Sequence, residues 1–418
     1  MPLSRRTLLR SGLIGASTLA MPRRAAATVS PEDRKLIFVM IFRGWDPTRV
    51  FASEFDNPDV AMEAEAQLGE IGGIRFVDHA ERPSVRSFLE TWHANTLFLN
   101  GVVVPSPSHL ECLKLMMTGS NQAGAPDWPA RAAYASRDRY ALPHVVIRGP
   151  QFGGEASSVV TRIGTSGYVS SLLDGSVLAA GDVVPGLPSD SAAAVMERHL
   201  QTWTGRRAAR AVGERDRLLT EGYEAVLGRA QTLKSVVGDV RWAADGSVET
   251  QADLAIDLFR LGLTRCVTLS YEALTWDSHD NNDLYQSANF ETLFAGLGYL
   301  MEQLALTPGE HAPTLADETV VVVCSEMGRT PQLNGGDGKD HWSHTSLMIT
   351  GPGITGDRVV GGFSEYYYGK KLDLATAETS EDGVSIYPEV VGATILELLG
   401  VDPGAELPGV SPLLGVLA

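Results

Sequence analysis

A carboxylate, a guanidinium and two imidazoles are packed into the segments Ser325-Glu326-Met327-Gly328-Arg329-Thr330 and Asp340-His341-Trp342-Ser343-His344. Oxygen and nitrogen ligands of this kind suit a divalent ion such as Zn, Mn, Mg or Ca. Three other segments offer the same chemistry: Asp46, Ser108 with His109, and Asp277 with His279. In Asp277-Ser278-His279, alternate residues of an extended chain face the same way and present two ligands together. On a turn or helix, His341 and His344 share a face, with Asp340 placed to orient an imidazole. The expected ligands are therefore Asp46, Asp277, His279, Glu326, His341 and His344, around one or two ions.

Arg43 and Arg329 lie beside these ligands. A guanidinium fork matches a tetrahedral oxyanion, although each arginine equally suits a salt bridge to a neighbouring carboxylate. Ser108, at the start of a predicted helix, is either a nucleophile helped by backbone dipole and metal or an ordinary N-cap. His79, His93, His144, His199 and His311 read as surface or core histidines.

Elements that deliver these residues to one place are visible in the pattern. Apolar runs at Lys35 to Phe42, Thr96 to Val104, His144 to Ile147, Arg265 to Tyr271, Thr319 to Cys324 and Thr345 to Ile349 read as strands, several of them apolar on both faces. Helical spacing marks Pro83 to His93, His109 to Met117, Ala252 to Leu261, Leu284 to Leu304 and Tyr387 to Leu399, the last closed by Gly400. One long solvated helix is expected from about Ala192 to Val237. Ser53 to Gly73 reads as a surface excursion, and Gly149 to Ser189 matches no element. Strands alternating with helices predict a mostly parallel, doubly wound sheet, with ligands beyond the carboxyl ends of its strands.

The 418-residue chain, 44% apolar, can bury a full α/β core. Ser4-Arg5-Arg6-Thr7-Leu8-Leu9-Arg10, an apolar run to Met21 and Ala25-Ala26-Ala27 read as a twin-arginine export signal over residues 1–27. A single mature domain over residues 28–418 follows, located in the periplasm or outside the cell, with the twin-arginine export machinery as a partner. Removing five signal arginines makes the net charge of −17 more negative still. Such a body repels nucleic acid and anionic lipid, and no run is long enough for a membrane span after signal removal. Cys112, Cys266 and Cys324 read as core thiols rather than a disulfide framework.

Phe42-Arg43-Gly44-Trp45-Asp46, Ser108-His109, Trp276-Asp277-Ser278-His279-Asp280-Asn281 and the two segments quoted first, in this order, resemble domain-of-unknown-function family 1501. That family of exported bacterial proteins is related to the alkaline phosphatase and sulfatase superfamily. The resemblance implies an alkaline-phosphatase-like three-layer sandwich, with helices on both faces of a mostly parallel central sheet. It also implies a metal-dependent hydrolase of phosphate or sulfate esters acting on a small anionic ester. In that superfamily an aspartate after the first strand binds metal and a helix-capping hydroxyl attacks the ester, which maps onto Asp46 and Ser108. A later Asp-His pair and a final histidine map onto Asp277, His279 and one of His341 or His344.

Three departures stand out. Glu326-Met327 replaces the usual Asp-His, which implies either that His109 or the second histidine of the 341/344 pair restores the lost ligand or that the site holds one ion rather than two. Pro105 occupies the position of the formylglycine precursor of sulfatases. Trp45 interrupts a Gly-Gly, an interruption expected to narrow access to the pocket. The first two sustain an alternative, a non-catalytic cell-envelope binding protein on the same fold, and a metal-dependent amidase is a third reading.

Overall fold

A computed structural model describes residues 29–166, 189–242, 244–271 and 274–418. The export signal expected at residues 1–27 lies outside these residues, as does part of the Gly- and Ser-rich stretch. The strands are β1 (Lys35–Ile41), β2 (Gln67–Ile71), β3 (Ile74–Asp78), β4 (Thr96–Val103), β5 (His144–Val146), β6 (Val160–Arg162), β7 (Cys266–Leu269), β8 (Thr319–Ser325), β9 (Gly328–Arg329), β10 (His341–Trp342), β11 (His344–Thr350) and β12 (Arg358–Gly361). The principal helices are α1 (Pro83–Trp92), α2 (His109–Thr118), α3 (Trp128–Ala135), α4 (Asp190–Ala208), α5 (Glu214–Val236), α6 (Val248–Arg260), α7 (Asn282–Leu306) and α8 (Pro388–Leu398).

Among the described residues, eight strands form one sheet in the order β12-β4-β11-β8-β1-β7-β5-β6. Of these, only β11 runs antiparallel to its neighbours, β4 and β8. The sheet is therefore mostly parallel, as the strand-helix alternation predicted.

Side-chain alternation along the central strands makes the three layers. Ile37, Val39 and Ile41 of β1, with Val321 and Val323 of β8, face a core shared with Phe88 of α1, Leu258 of α6 and Phe290, Leu297 and Leu300 of α7. Leu36, Phe38 and Met40, with Val320, Val322 and Cys324, face the opposite core, shared with Met116 of α2, Trp128 of α3 and Ile395 of α8. Every residue of β1 and β8 is buried, which is why these runs are mostly apolar on both faces rather than alternating. Each such side chain contributes roughly 1.5–3 kcal/mol of burial. The cysteines 112, 266 and 324 are free and buried, core thiols as expected.

Three expectations need correction. The surface excursion ends in a hairpin, β2 pairing β3 across Gly72 and Gly73, because short strands with one wet face carry little apolar signal. The long helix is two helices, α4 and α5, broken at Gly213, whose φ of 87° no right-handed helix contains. Helix α3 and strand β12 were not foreseen; α3 is alanine-rich, and its buried Ala130, Ala132 and Ala133 give little periodic contrast.

Candidate metal centre

Strands β1, β4, β7 and β8 all end at one edge, and the chain returns there through β10 into the start of β11, where His344 pairs with Val103. Register carries the site: Ile41 sits beside Ser325, so the turn after β1 and Glu326 after β8 emerge side by side. Arg43 and Gly44 both adopt positive φ, 87° and 74°, an unusual conformation for an arginine. It aims consecutive amides at one carboxylate: Arg43 N donates to Glu326 Oε1 at 2.8 Å and Gly44 N to Oε2 at 3.2 Å.

Glu326 is wholly buried and also receives Ser325 Oγ at 3.0 Å and His109 Nδ1 at 2.7 Å. It is therefore not placed as a metal ligand. With its oxygens taken by backbone and hydroxyl donors, it fixes the orientation of His109, the first residue of α2.

Three imidazoles are held in the same manner. His279 Nδ1 meets Asp340 Oδ1 at 2.8 Å, and His341 Nδ1 meets the Pro107 carbonyl at 2.7 Å. A carbonyl or an ionised carboxylate only accepts, so each Nδ1 carries a proton, and in the neutral ring Nε2 then presents a lone pair. Those Nε2 atoms gather around Asp277. His109 Nε2 lies 3.3 Å from Asp277 Oδ2, His279 Nε2 3.1 Å and His341 Nε2 3.4 Å from Oδ1, and His279 Nε2 stands 3.0 Å from His341 Nε2.

Lone pairs this close repel unless a proton or a cation sits among them. His109 Nε2 is buried and, despite its proximity to Asp277, has no hydrogen-bond partner among the described residues. His109, Asp277 and His341 each bring one ligand atom within 4.8 Å of the others, and His279 joins them through the two short contacts above. Ligands bonded at about 2.0–2.1 Å to a tetrahedral ion stand about 3.3 Å apart. The donor set therefore fits a divalent ion of the zinc type, with carboxylate and carbonyl partners behind each imidazole.

Burial raises the Asp277 carboxyl, but the hydrogen bond and charge of Arg329 outweigh it and bring its pKa down to about 2. A carboxylate is thus available at any physiological pH. The hydrogen bond from His279 likewise holds Asp340 below the usual range.

Other predicted site residues occupy different positions. Asp46 is buried beside the cluster, but its carboxylate is consumed by the chain: Thr48 N and Oγ1 on Oδ1 at 3.0 and 2.7 Å, Asn282 Nδ2 and Lys339 Nζ on Oδ2 at 2.9 Å each, with Arg49 at 3.4 Å. Burial opposes its ionisation, and Lys339 and Arg49 more than compensate, leaving it far below the carboxylate range. Lys339 itself, fully buried, is lowered to about 8 by desolvation against the pull of Asp46. Sequence reading passed over this lysine because a lone Lys before Asp340 looks like ordinary loop polarity.

His344 is not in the cluster. His341 and His344 lie on two different strands, β10 and β11, that meet at a bend at Ser343, not on one turn or helix, so the two rings do not share a face. Its ring lies against Trp342 and Tyr368 instead, and burial lowers its pKa to about 4.

Arg329 is fully buried and spends its guanidinium on the carbonyls of Gly44, Lys339, Arg43 and Trp276 and on Asp277 Oδ1 at 2.8 Å. It knits the loops and is not presented to a substrate. Arg43 is exposed at the rim. Ser108 holds the N-cap position of α2 without making the cap bond, and its side chain is exposed. Trp45 does not narrow the mouth: it is buried in the core, its Nε1 bonded to Thr345 Oγ1.

A family described as protein of unknown function (DUF1501) matches residues 93–411, about three quarters of the chain. The chain belongs to this family. The match spans His109, Asp277, His279, Glu326 and His341, and begins after Asp46. No curated protein matches.

Among solved structures, the chain is similar to an alkaline phosphatase superfamily protein from Vibrio parahaemolyticus (9% identity, TM-score 0.40, covering 93% of this chain and 72% of that one). It is similar also to a lipoteichoic acid synthase from Listeria monocytogenes (10%, 0.40, 93% and 77%) and a phosphonate monoester hydrolase from Silicibacter pomeroyi (12%, 0.36, 92% and 77%). Likenesses at this level carry no argument about activity. Among the described residues no helix is long and apolar enough to cross a membrane.

Proposed function

We propose that this family member is an exported, metal-dependent hydrolase of phosphate or sulfate esters whose ion is held by His109, Asp277, His279 and His341. The observation that carries the reading is the convergence of three Nδ1-tethered imidazoles on one carboxylate, His279 and His341 with their Nε2 atoms 3.0 Å apart. The ester class rests on the motif resemblance, and export on Arg5-Arg6 and the apolar run that follows.

When bound, the ion supplies Lewis acidity to an ester oxygen and to a nearby hydroxyl. Glu326, Asp340 and the Pro107 carbonyl keep the three imidazoles in the tautomer that presents Nε2. Asp277, ionised against Arg329, adds the negative charge that retains a cation. Ser108, flanked by Pro107, whose carbonyl holds His341, and by His109, is the nucleophile in this reading, its exposed hydroxyl uncommitted to the helix cap. Arg43 at the rim takes the non-bridging oxygens, since Arg329 is fully buried among internal acceptors.

An ester panel with the metal-loaded protein tests the reading. Hydrolysis that falls by about 10²-fold or more in both Ser108→Ala and His279→Ala supports it. Full activity in both variants would end it. Activity that survives loss of Ser108 but not of His279 points instead to attack by water, as in an amidase. The non-catalytic binding reading draws on the Glu326-Met327 pair and Pro105, together with the burial of Arg329 among internal acceptors, and predicts no turnover of any ester.

A further inference from the structure

The side chain of Asp46 lies close to the cluster and yet has no capacity left for an ion. Its two oxygens accept five contacts: two from Thr48, one from Asn282, one from Lys339 at 2.9 Å and one from Arg49 at 3.4 Å. Both cations are fully buried, and so is Asp46. Lys339 Nζ is further held by Thr48 Oγ1 at 3.0 Å, and its carbonyl receives Arg329 Nη1 at 3.2 Å. Arg329 in turn binds Asp277, so the backbone of the lysine that holds Asp46 and the carboxylate of the imidazole cluster are joined through one guanidinium. A buried carboxylate demands a partner cation, and removing one from a buried pair leaves an uncompensated charge.

We propose that the site is mononuclear, and that Lys339 is a permanent internal cation that fills, on Asp46, the place a second divalent ion would need. The sequence left one or two ions open; the hydrogen bonds on Asp46 decide between them. This inference rests on the metal-dependent reading above and specifies its stoichiometry. The loop before His341 then serves two ends at once. Lys339 anchors it to Asp46 while His341, two residues on, reaches the ion, so the turn after β1 and the β9–β10 loop are fixed to each other whether or not metal is bound.

Ion counting tests this apart from turnover. Purified chain is stripped with chelator, titrated with Zn2+ and separately with Mn2+, and assayed for tightly held metal per chain by elemental analysis. Asp46→Asn and Lys339→Met are carried alongside, with circular dichroism to confirm folding. The expected result is one ion per chain in the wild type, and one still in each folded variant, since neither side chain touches the ion. Two ions per chain in the wild type would overturn the inference while leaving the metal-dependent reading standing. Loss of more than half the metal in folded Asp46→Asn would also overturn it, by making Asp46 a ligand. No metal in the wild type would overturn the reading beneath it and the inference together. Should neither variant fold, the wild-type count alone decides.

Discussion

Glu326 shows how a residue type read correctly for its chemistry can be placed one step from its expected role. A carboxylate after an apolar strand reads as a metal ligand, but its partners are two amides, a hydroxyl and His109. Glu326→Gln removes the charge behind His109 while keeping the shape. Metal affinity measured by competition titration is expected to fall by about 10–100-fold without loss of the fold; an unchanged affinity would place His109 outside the coordination shell. His109 itself was visible only as a substitute ligand, because nothing in Ser108-His109 reveals which way a ring at a helix start points. His344 failed for the complementary reason, that spacing has meaning only once the local conformation is known. Its burial makes a pH prediction with a definite sign. The folded pKa of about 4 lies below the ordinary 6.5, so the unfolded chain binds the proton more readily. Stability is full above pH 6.5 and lost as the pH falls towards 4. Wild-type melting temperature is expected to drop across that window more steeply than that of His344→Gln, and parallel slopes would exclude the imidazole as the cause.

Strands announce themselves when both faces are buried, and β1 and β8 were legible from end to end for that reason. The hairpin β2–β3 was not, since exposed residues dilute its pattern. What no periodicity encodes is how the loops at the strand ends lock together. Gly338 illustrates this: a Cβ there would stand 1.9 Å from the His279 carbonyl oxygen. It belongs to the loop that brings Lys339, Asp340 and His341 against the segment carrying Asp277 and His279, with Asn334 bridging to the His279 carbonyl at 2.9 Å. Gly338→Ala must therefore push the two loops apart, at a cost of about 1–3 kcal/mol if the strain is relieved by backbone shifts. Denaturation midpoint and metal retention are expected to fall together. A variant that keeps both would mean the loops tolerate separation and the ligand set is not fixed by their contact.

Across the whole molecule, the sheet supplies one edge at which the ends of β1, β4, β7 and β8 meet the start of β11, and the ligands come from segments far apart in sequence. The general architecture and this shared edge were readable from alternating strands and helices. The antiparallel direction of β11 was not, because strand direction depends on where the intervening chain travels. The acidic body and the basic first residues make a further prediction at this scale. Replacing Arg5 and Arg6 with lysine is expected to leave the protein in the cytoplasmic fraction, whereas the wild type fractionates outside it; equal distribution of the two would remove the twin-arginine route.

The proposed function and its stoichiometry both depend on the proposal that His109, Asp277, His279 and His341 bind a divalent ion. X-ray absorption at the metal edge of the Zn2+-reloaded chain probes that ion without reference to turnover, because imidazole ligands leave a distinct scattering pattern. The expected spectrum is that of a nitrogen- and oxygen-coordinated ion with at least two imidazoles, about 2.0–2.1 Å from their nitrogens, and the signal is lost when His279→Ala is combined with His341→Ala. A shell of oxygen alone, or a chain that retains no metal after reloading, would contradict the assignment.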